Sequence, residues 1–181
     1  METFKRKINE LTVHDKGSAA IRDSIRLRQT RPFVGKNQGF LVPQKSLFNK
    51  IVGDSHLELL FASFLEHSPD VLSWTKNFFA VNFKIDCIDA NGDISNYYPD
   101  FIVKTDAGHA FIVETKGLED LDVPLKMARL NEWCEDTNAA QSQILFDYVF
   151  VEEYAFTEYA PDTFEALVKS FTTYRAETMQ R

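Results

Sequence analysis

The sequence predicts an α/β fold, an αβββαβ core with a mixed central sheet flanked by helices. Three observations predict it. Residues 55–67 carry an apolar stripe at helical spacing, the hydrophobic period drops to about 2 after residue 79, and a mostly apolar run at 144–151 follows a second helical stretch. With 181 residues, 44% hydrophobic composition and sixteen phenylalanines, the chain can bury one sizeable core, and disorder is excluded.

The net charge of −7 argues against a nucleic-acid partner, but it is an average over two unlike halves. Residues 1–50 carry eleven Lys/Arg against four Asp/Glu, and residues 51–181 carry nine against twenty-three. The chain therefore divides into a basic N-terminal arm of short helix and loop (1–50) and an acidic core with a C-terminal helix (51–181). Cationic arms suit nucleic acid because they displace condensed counterions from phosphates; the alternative is an ordinary solvated surface. Residues 17–30 read as a weakly amphipathic helix capped by Ser18, exposing Arg22, Arg26 and Arg28 as candidate phosphate contacts. Pro32, Gly35, Gly39, Pro43 and Gly53 make 31–54 mostly loop.

The first firm element is the helix at 55–67, where Leu57, Leu60, Phe61, Phe64 and Leu65 form one stripe and Ser68-Pro69-Asp70 ends it. Glu66 falls on the far side and reads as solvated. From 79 to 87, Phe79, Val81, Phe83, Ile85 and Cys87 alternate with Ala80, Asn82, Lys84 and Asp86, a half-buried strand. A turn at 89–92, a strand at 94–104, a turn at 105–108 and a strand at 109–116 follow. Links this short require an antiparallel meander. Residues 124–137 read as a helix packed through Leu125, Met127, Ala128, Leu130 and Trp133. The run at 144–151 is apolar enough for a central strand. Asp162 and Glu165 form a capping-box pattern for a last helix, with Phe164, Leu167, Val168 and Phe171 on its inner face.

Cys87 and Cys134 have neither CxxC spacing nor a matching histidine cluster, so both read as reduced, buried thiols. His14, His56, His67 and His109 have no ligand spacing. No apolar run of signal-peptide or membrane-spanning length occurs, and the expectation is a cytoplasmic protein with no membrane partner.

The chemistry concentrates on two strands. Asp100 follows Tyr98-Pro99, and a proline cannot donate to a sheet ladder, so the strand there is at an edge or bulged. Glu114 and Lys116 lie two apart on the next strand and share a face. The hairpin between these strands brings Asp100 and Glu114 to one end of the sheet. Two convergent carboxylates suit a hard dication such as Mg²⁺, and a neighbouring lysine can orient water or neutralise charge on a phosphate. The bland alternative makes Asp100 a bulge cap and Glu114–Lys116 an ordinary surface ion pair. Against it stand the flanks, Phe101-Ile102-Val103 and Ala110-Phe111-Ile112-Val113, where an unpaired charge is costly. Lys126 either contacts a phosphate or faces solvent. Tyr97 and Tyr98 could stack on a base, though tyrosines on strands more often serve packing.

The stretch Tyr98-Pro99-Asp100-Phe101 … Val113-Glu114-Thr115-Lys116-Gly117 resembles the PD-(D/E)xK nuclease superfamily and so implies a restriction-endonuclease-like core. More narrowly, 43–150 resembles the C-terminal endonuclease domain of type III restriction enzyme subunits. Lys45-Ser46-Leu47-Phe48, Leu57-Glu58 with Phe61-Ala62, Trp74 with Lys76-Asn77, Lys126 and Trp133-Cys134 carry that match. The resemblance implies a DNA endonuclease that depends on Mg²⁺, with Mn²⁺ as a substitute, in restriction or related defence. Asp100, Glu114, Glu58 and the backbone carbonyl of Thr115 would hold the metal, and Lys116 would be the catalytic lysine. Ser55-His56-Leu57-Glu58 is also an S-x-x-E capping box, which by itself accounts for that glutamate. A transposition- or repair-linked nuclease, or a nuclease-like module that binds without cutting, are the rival readings. Type III subunits also carry an ATP-driven motor, and this sequence has no GxxxxGK[ST] loop. A helicase/ATPase motor or methyltransferase partner would then reside on another chain or segment.

Overall fold

The helical and strand periods of the sequence resolve into a four-stranded sheet between two apolar layers. The structure is a computed structural model that describes residues 21, 24–35, 39–88, 94–116 and 123–178. Along the chain the strands are β1 (Phe40–Leu41), β2 (Ile51–Val52), β3 (Ser73–Lys76), β4 (Ile85–Ile88), β5 (Ile94–Tyr97), β6 (Phe101–Lys104), β7 (His109–Lys116) and β8 (Leu145–Glu152). The helices are α1 (His56–His67), α2 (Val123–Ala140), α3 (Glu153–Tyr159) and α4 (Phe164–Thr178). The main sheet runs β3-β6-β7-β8; β7 and β8 are parallel and the other pairs antiparallel. It is the mixed α/β architecture that the sequence predicts. No helix among the described residues is long and apolar enough to cross a membrane.

Strand β7 shows how the layers are divided. Phe111 and Val113 enter a core with Leu57, Phe61 and Leu65 of α1 and with Phe156, Phe164 and Leu167. Ile112, on the opposite face, enters a second core with Met127, Leu130 and Cys134 of α2 and with Ile85, Cys87 and Tyr97. Period-2 alternation thus feeds two cores at once. Both cysteines are buried and outside any disulfide, as expected.

Several expectations are corrected. The meander partner of β6 is not 79–87 but β3, an element the sequence did not announce. Only 85–88 of the expected strand forms, pairing with β5 in a separate hairpin. The expected strand 94–104 breaks at Pro99, and its halves β5 and β6 serve different sheets, because a proline cannot sustain the ladder. Phe79 is 81% exposed rather than inward, since the chain turns at 79–81 and Asn82 adopts φ 57°. Strand β8 lies at the sheet edge, not its centre; its apolar run packs against both cores instead of between two strands.

Smaller departures follow the same logic. Leu60 and Leu125 are exposed, as is Ala128, while Ala62 and Cys134 complete the buried helical faces. The N-terminus of α4 is capped by Thr163 Oγ1 and, across the fold, by both carboxylate oxygens of Asp70, rather than by an Asp162–Glu165 box. The short helix α3 was not foreseen: Glu152 accepts from the Tyr154 and Ala155 amides and nucleates it immediately after β8. Within the described part of 17–30, only Leu27–Gln29 forms a 3₁₀ turn. His14, Ser18, Arg22 and the turn at 89–92 lie outside the described residues. The loop of 31–54 carries the small β1–β2 hairpin.

Candidate functional site

Pro99 separates two sheets, and Asp100 follows it as the residue that leads into β6 of the main one. Its amide donates to Val113 O and its carbonyl accepts from the Asn77 amide, so the backbone is held from both sides. Phe101 pairs with Val113 across β6 and β7, which sets Asp100 and Glu114 one rung further, at the end of the sheet. The convergence expected from the sequence is present. Asp100 Oδ2 accepts from the Thr115 amide at 2.8 Å and the Thr115 hydroxyl at 2.7 Å. Glu114 Oε2 accepts from the Tyr97 hydroxyl at 3.1 Å, both groups being buried. Tyr97 therefore packs and hydrogen-bonds within the site.

Electrostatics separate the two carboxylates from ordinary surface acids. Burial and the neighbouring charge of Asp100 push the Glu114 pKa up to about 8, against smaller downward pulls from the Tyr97 hydroxyl and from the charges of Lys126 and Lys116. Burial also raises Asp100, partly opposed by its two bonds from Thr115. Tyr97 lies well above its usual value, first through burial and then through the charges of Glu114 and Asp100. Lys116, half-buried at the end of β7, shares Glu114's face. Lys126, half-buried on α2, also acts on Glu114 through its charge.

Glu58 belongs to a second cluster on the α1 side. Lys76 Nζ, whose side chain is 5% exposed, donates to Glu58 Oε2 at 2.5 Å, Asp54 Oδ2 at 2.7 Å and Val52 O at 3.2 Å. Burial alone would lower the Lys76 pKa, but its hydrogen bonds and charge pairing with Asp54 and Glu58 raise it overall. Ser55 Oγ accepts from the Glu58 amide, and Glu58 Oε2 accepts from the Asp54 amide, so the capping role is real. Two members of this cluster act on Asp100 through charge: Glu58 raises its pKa and Lys76 lowers it. Among the described residues no group of three or more His, Cys, Asp or Glu side chains could by itself hold a metal ion. Asp100 and Glu114 thus stand as a carboxylate pair.

Glu66 is not solvated. Its carboxylate accepts from the Gln44 and Lys45 amides and from Trp74 Nε1, tying the loop before β2 to the edge of β3. Arg26 and Arg28 are exposed, remote in sequence from the carboxylates. Sequence reasoning assigned no role to three contributors: Lys76 and Asn77, although they carry part of the resemblance, and the Thr115 hydroxyl. The cue available for the first was a lysine set between Trp74 and Phe78, in a stretch too short to display a period.

Residues 44–140, more than half of the chain, match the protein family described as "Endonuclease domain". The chain belongs to this family. No match is found among curated proteins or among solved structures. The endonuclease domain so delimited runs from just before the Ser46–Trp74 bridge to the end of α2. It takes in Glu58, Lys76, Asp100, Glu114, Lys116 and Lys126 together, leaving β8, α3 and α4 as the support that completes one core. The chain is a restriction-endonuclease-like nuclease domain.

Proposed function

We propose that this endonuclease domain is a Mg²⁺-dependent DNA endonuclease of restriction or related defence type, kin to type III restriction subunits. The observation that carries the reading is the mutually repelling pair of half-buried Asp100 and buried Glu114 at the end of β6 and β7, with Lys116 two residues further on. The donor set fits the ion: two carboxylates, each tethered by a hydroxyl hydrogen bond, offer hard oxygen ligands. Asp100 and Glu114 would hold it, joined by the Thr115 backbone carbonyl.

When bound, the metal supplies Lewis-acid stabilisation of the phosphoryl oxygens and a lowered pKa for coordinated water. Tyr97 and Thr115 keep the two carboxylates from rotating away. Lys116 offers a compact ammonium to charge that grows on the scissile phosphate. Glu58, held by Lys76 and the Asp54 amide, fixes the electrostatic background of Asp100 and completes the acidic frame from the α1 side.

Incubating the chain with plasmid DNA and Mg²⁺, with and without EDTA, tests the reading. Nicking or linearisation is expected only with free metal, Mn²⁺ substituting, and only with Asp100 and Glu114 intact. An Asp100→Ala protein that still binds Mg²⁺ normally in calorimetry removes Asp100 from the site. A folded wild-type chain that binds DNA but leaves every substrate uncut transfers the reading to a nuclease-like binding module.

A further inference from the structure

The turn between β3 and β4 presents an aromatic pair beside the carboxylates. Phe79, 81% exposed, stacks on Tyr98 with ring centroids 5.7 Å apart and planes 28° from parallel. Tyr98 is two residues before Asp100, and the pair is held there by Asn77. The Asn77 amide donates to Asp100 O, and its side-chain Nδ2 donates to Pro99 O and Phe83 O, each at 2.7–2.8 Å. One buried side chain thus clamps both flanks of the turn against the 98–100 segment. Val81 N bonds to Phe78 O within the turn, and Asn82 at φ 57° closes it. An apolar ring this exposed has no packing role that requires it, yet its position relative to Asp100 is specified by three hydrogen bonds.

The same turn forms one wall of an open cleft of about 430 Å³. Ala80 and Val81 line one side, and Arg26, Gln29, Thr30 and Arg31 of the basic arm line the other. An exposed aromatic face on a turn whose next two residues share a cleft with Arg26 and Arg31 has the chemistry of a single-strand binding site: bases stack on rings of any sequence, and cations track the phosphates. Paired bases inside a duplex offer no free face to such a platform.

We propose that Phe79 and Tyr98 form a stacking platform for an unpaired nucleobase adjoining the cleaved phosphate, with Arg26 and Arg31 receiving the backbone of that unpaired strand. The substrate class this names is DNA with a single-stranded or splayed segment at the cut, and the proposal rests on the nuclease reading above.

The test uses the full chain in Ca²⁺ with duplexes that are blunt or carry a short unpaired tail containing 2-aminopurine. Wild type is expected to quench the 2-aminopurine on binding and to prefer tailed over blunt DNA by roughly 5- to 150-fold, the range of one base–aromatic stack. Phe79→Ala and Phe79→Leu should erase both effects, and Phe79→Trp should retain them. Arg31→Ala should flatten the salt dependence of tailed-DNA binding by about one unit of slope. Unquenched 2-aminopurine in the wild-type complex overturns the proposal, as does a Phe79→Leu protein that behaves like Phe79→Trp. The two readings fail separately: cutting of blunt DNA without quenching removes the platform alone, and quenching without cutting in Mg²⁺ removes the nuclease alone.

Discussion

Thr115 grips Asp100 twice, its amide and its hydroxyl both donating to Oδ2 from the neighbouring strand. The amide is a backbone donor that any residue at 115 except proline would keep, but the hydroxyl is a choice of side chain. Thr115→Val keeps the shape and removes one charge-assisted hydrogen bond, at an expected cost of about 1–2 kcal/mol in urea unfolding. Mg²⁺ affinity should fall with it, because Asp100 gains freedom to rotate. Equal stability and equal metal affinity in the two proteins would reduce the hydroxyl to packing.

Lys76 anchors the other side. Lys76→Met leaves the mostly buried Glu58 carboxylate without its cation, and removing one partner of a buried pair costs about 3–5 kcal/mol. Asp54, whose side chain is 77% exposed, contributes little to that cost. The double variant Lys76→Met/Glu58→Gln should recover part of the loss. If it is no more stable than Lys76→Met alone, the pair is not coupled and the loss reflects packing of the lysine stem.

The pH dependence follows from Glu114. In the fold it ionises at about 8, against its ordinary 4.5, so the folded chain keeps a proton that the unfolded chain releases between those values. Its stabilising contribution is therefore complete below about 4.5 and is lost as the pH rises through 8. Each unit of difference corresponds to about 1.4 kcal/mol. Without divalent metal, the stability advantage of wild type over Glu114→Gln should shrink from pH 5 to pH 8.5. Mg²⁺ binding at pH 7 should release a proton, visible as a buffer-dependent heat in calorimetry. A wild-type-minus-variant difference that is flat across this window would contradict the buried-pair electrostatics.

Lys116 separates catalysis from binding. An interaction made mainly in the transition state lowers turnover while leaving ground-state affinity alone. Lys116→Ala should therefore bind DNA in Ca²⁺ nearly as wild type does, yet cut about 10²–10³-fold more slowly in single turnover. Lys116→Arg should restore little, because a planar fork cannot replace a compact ammonium. Wild-type cutting by Lys116→Ala would mark the motif as a coincidence of strand charges.

Short-range periodicity was enough to read α1, β7, α2 and the core-facing residues of α4, and residue spacing along β7 placed Glu114 and Lys116 on one face. The proline before Asp100 marked an irregularity in the strand, though the strand ends there instead of bulging. These features are local: a helical stripe or a two-residue alternation is complete within about ten residues, and the burial that selects it acts on that segment alone. What the tertiary structure decided was pairing and side. Strand β3 exists because β6 offers it a free edge, not because Ser73–Lys76 displays a period. Phe79 continues an inward alternation in sequence but faces outward because Asn77 pins the turn to Pro99 and Asp100 from more than twenty residues away. Glu66 lies on the polar side of its helix, yet it is occupied by the Gln44 and Lys45 amides and the Trp74 indole. Glu58, a routine cap in sequence, meets a buried lysine that only the approach of β3 to α1 supplies. Hydrogen bonds and charge pairs depend on distances between segments, and a chain's own periodicity carries no record of which distant segment will arrive.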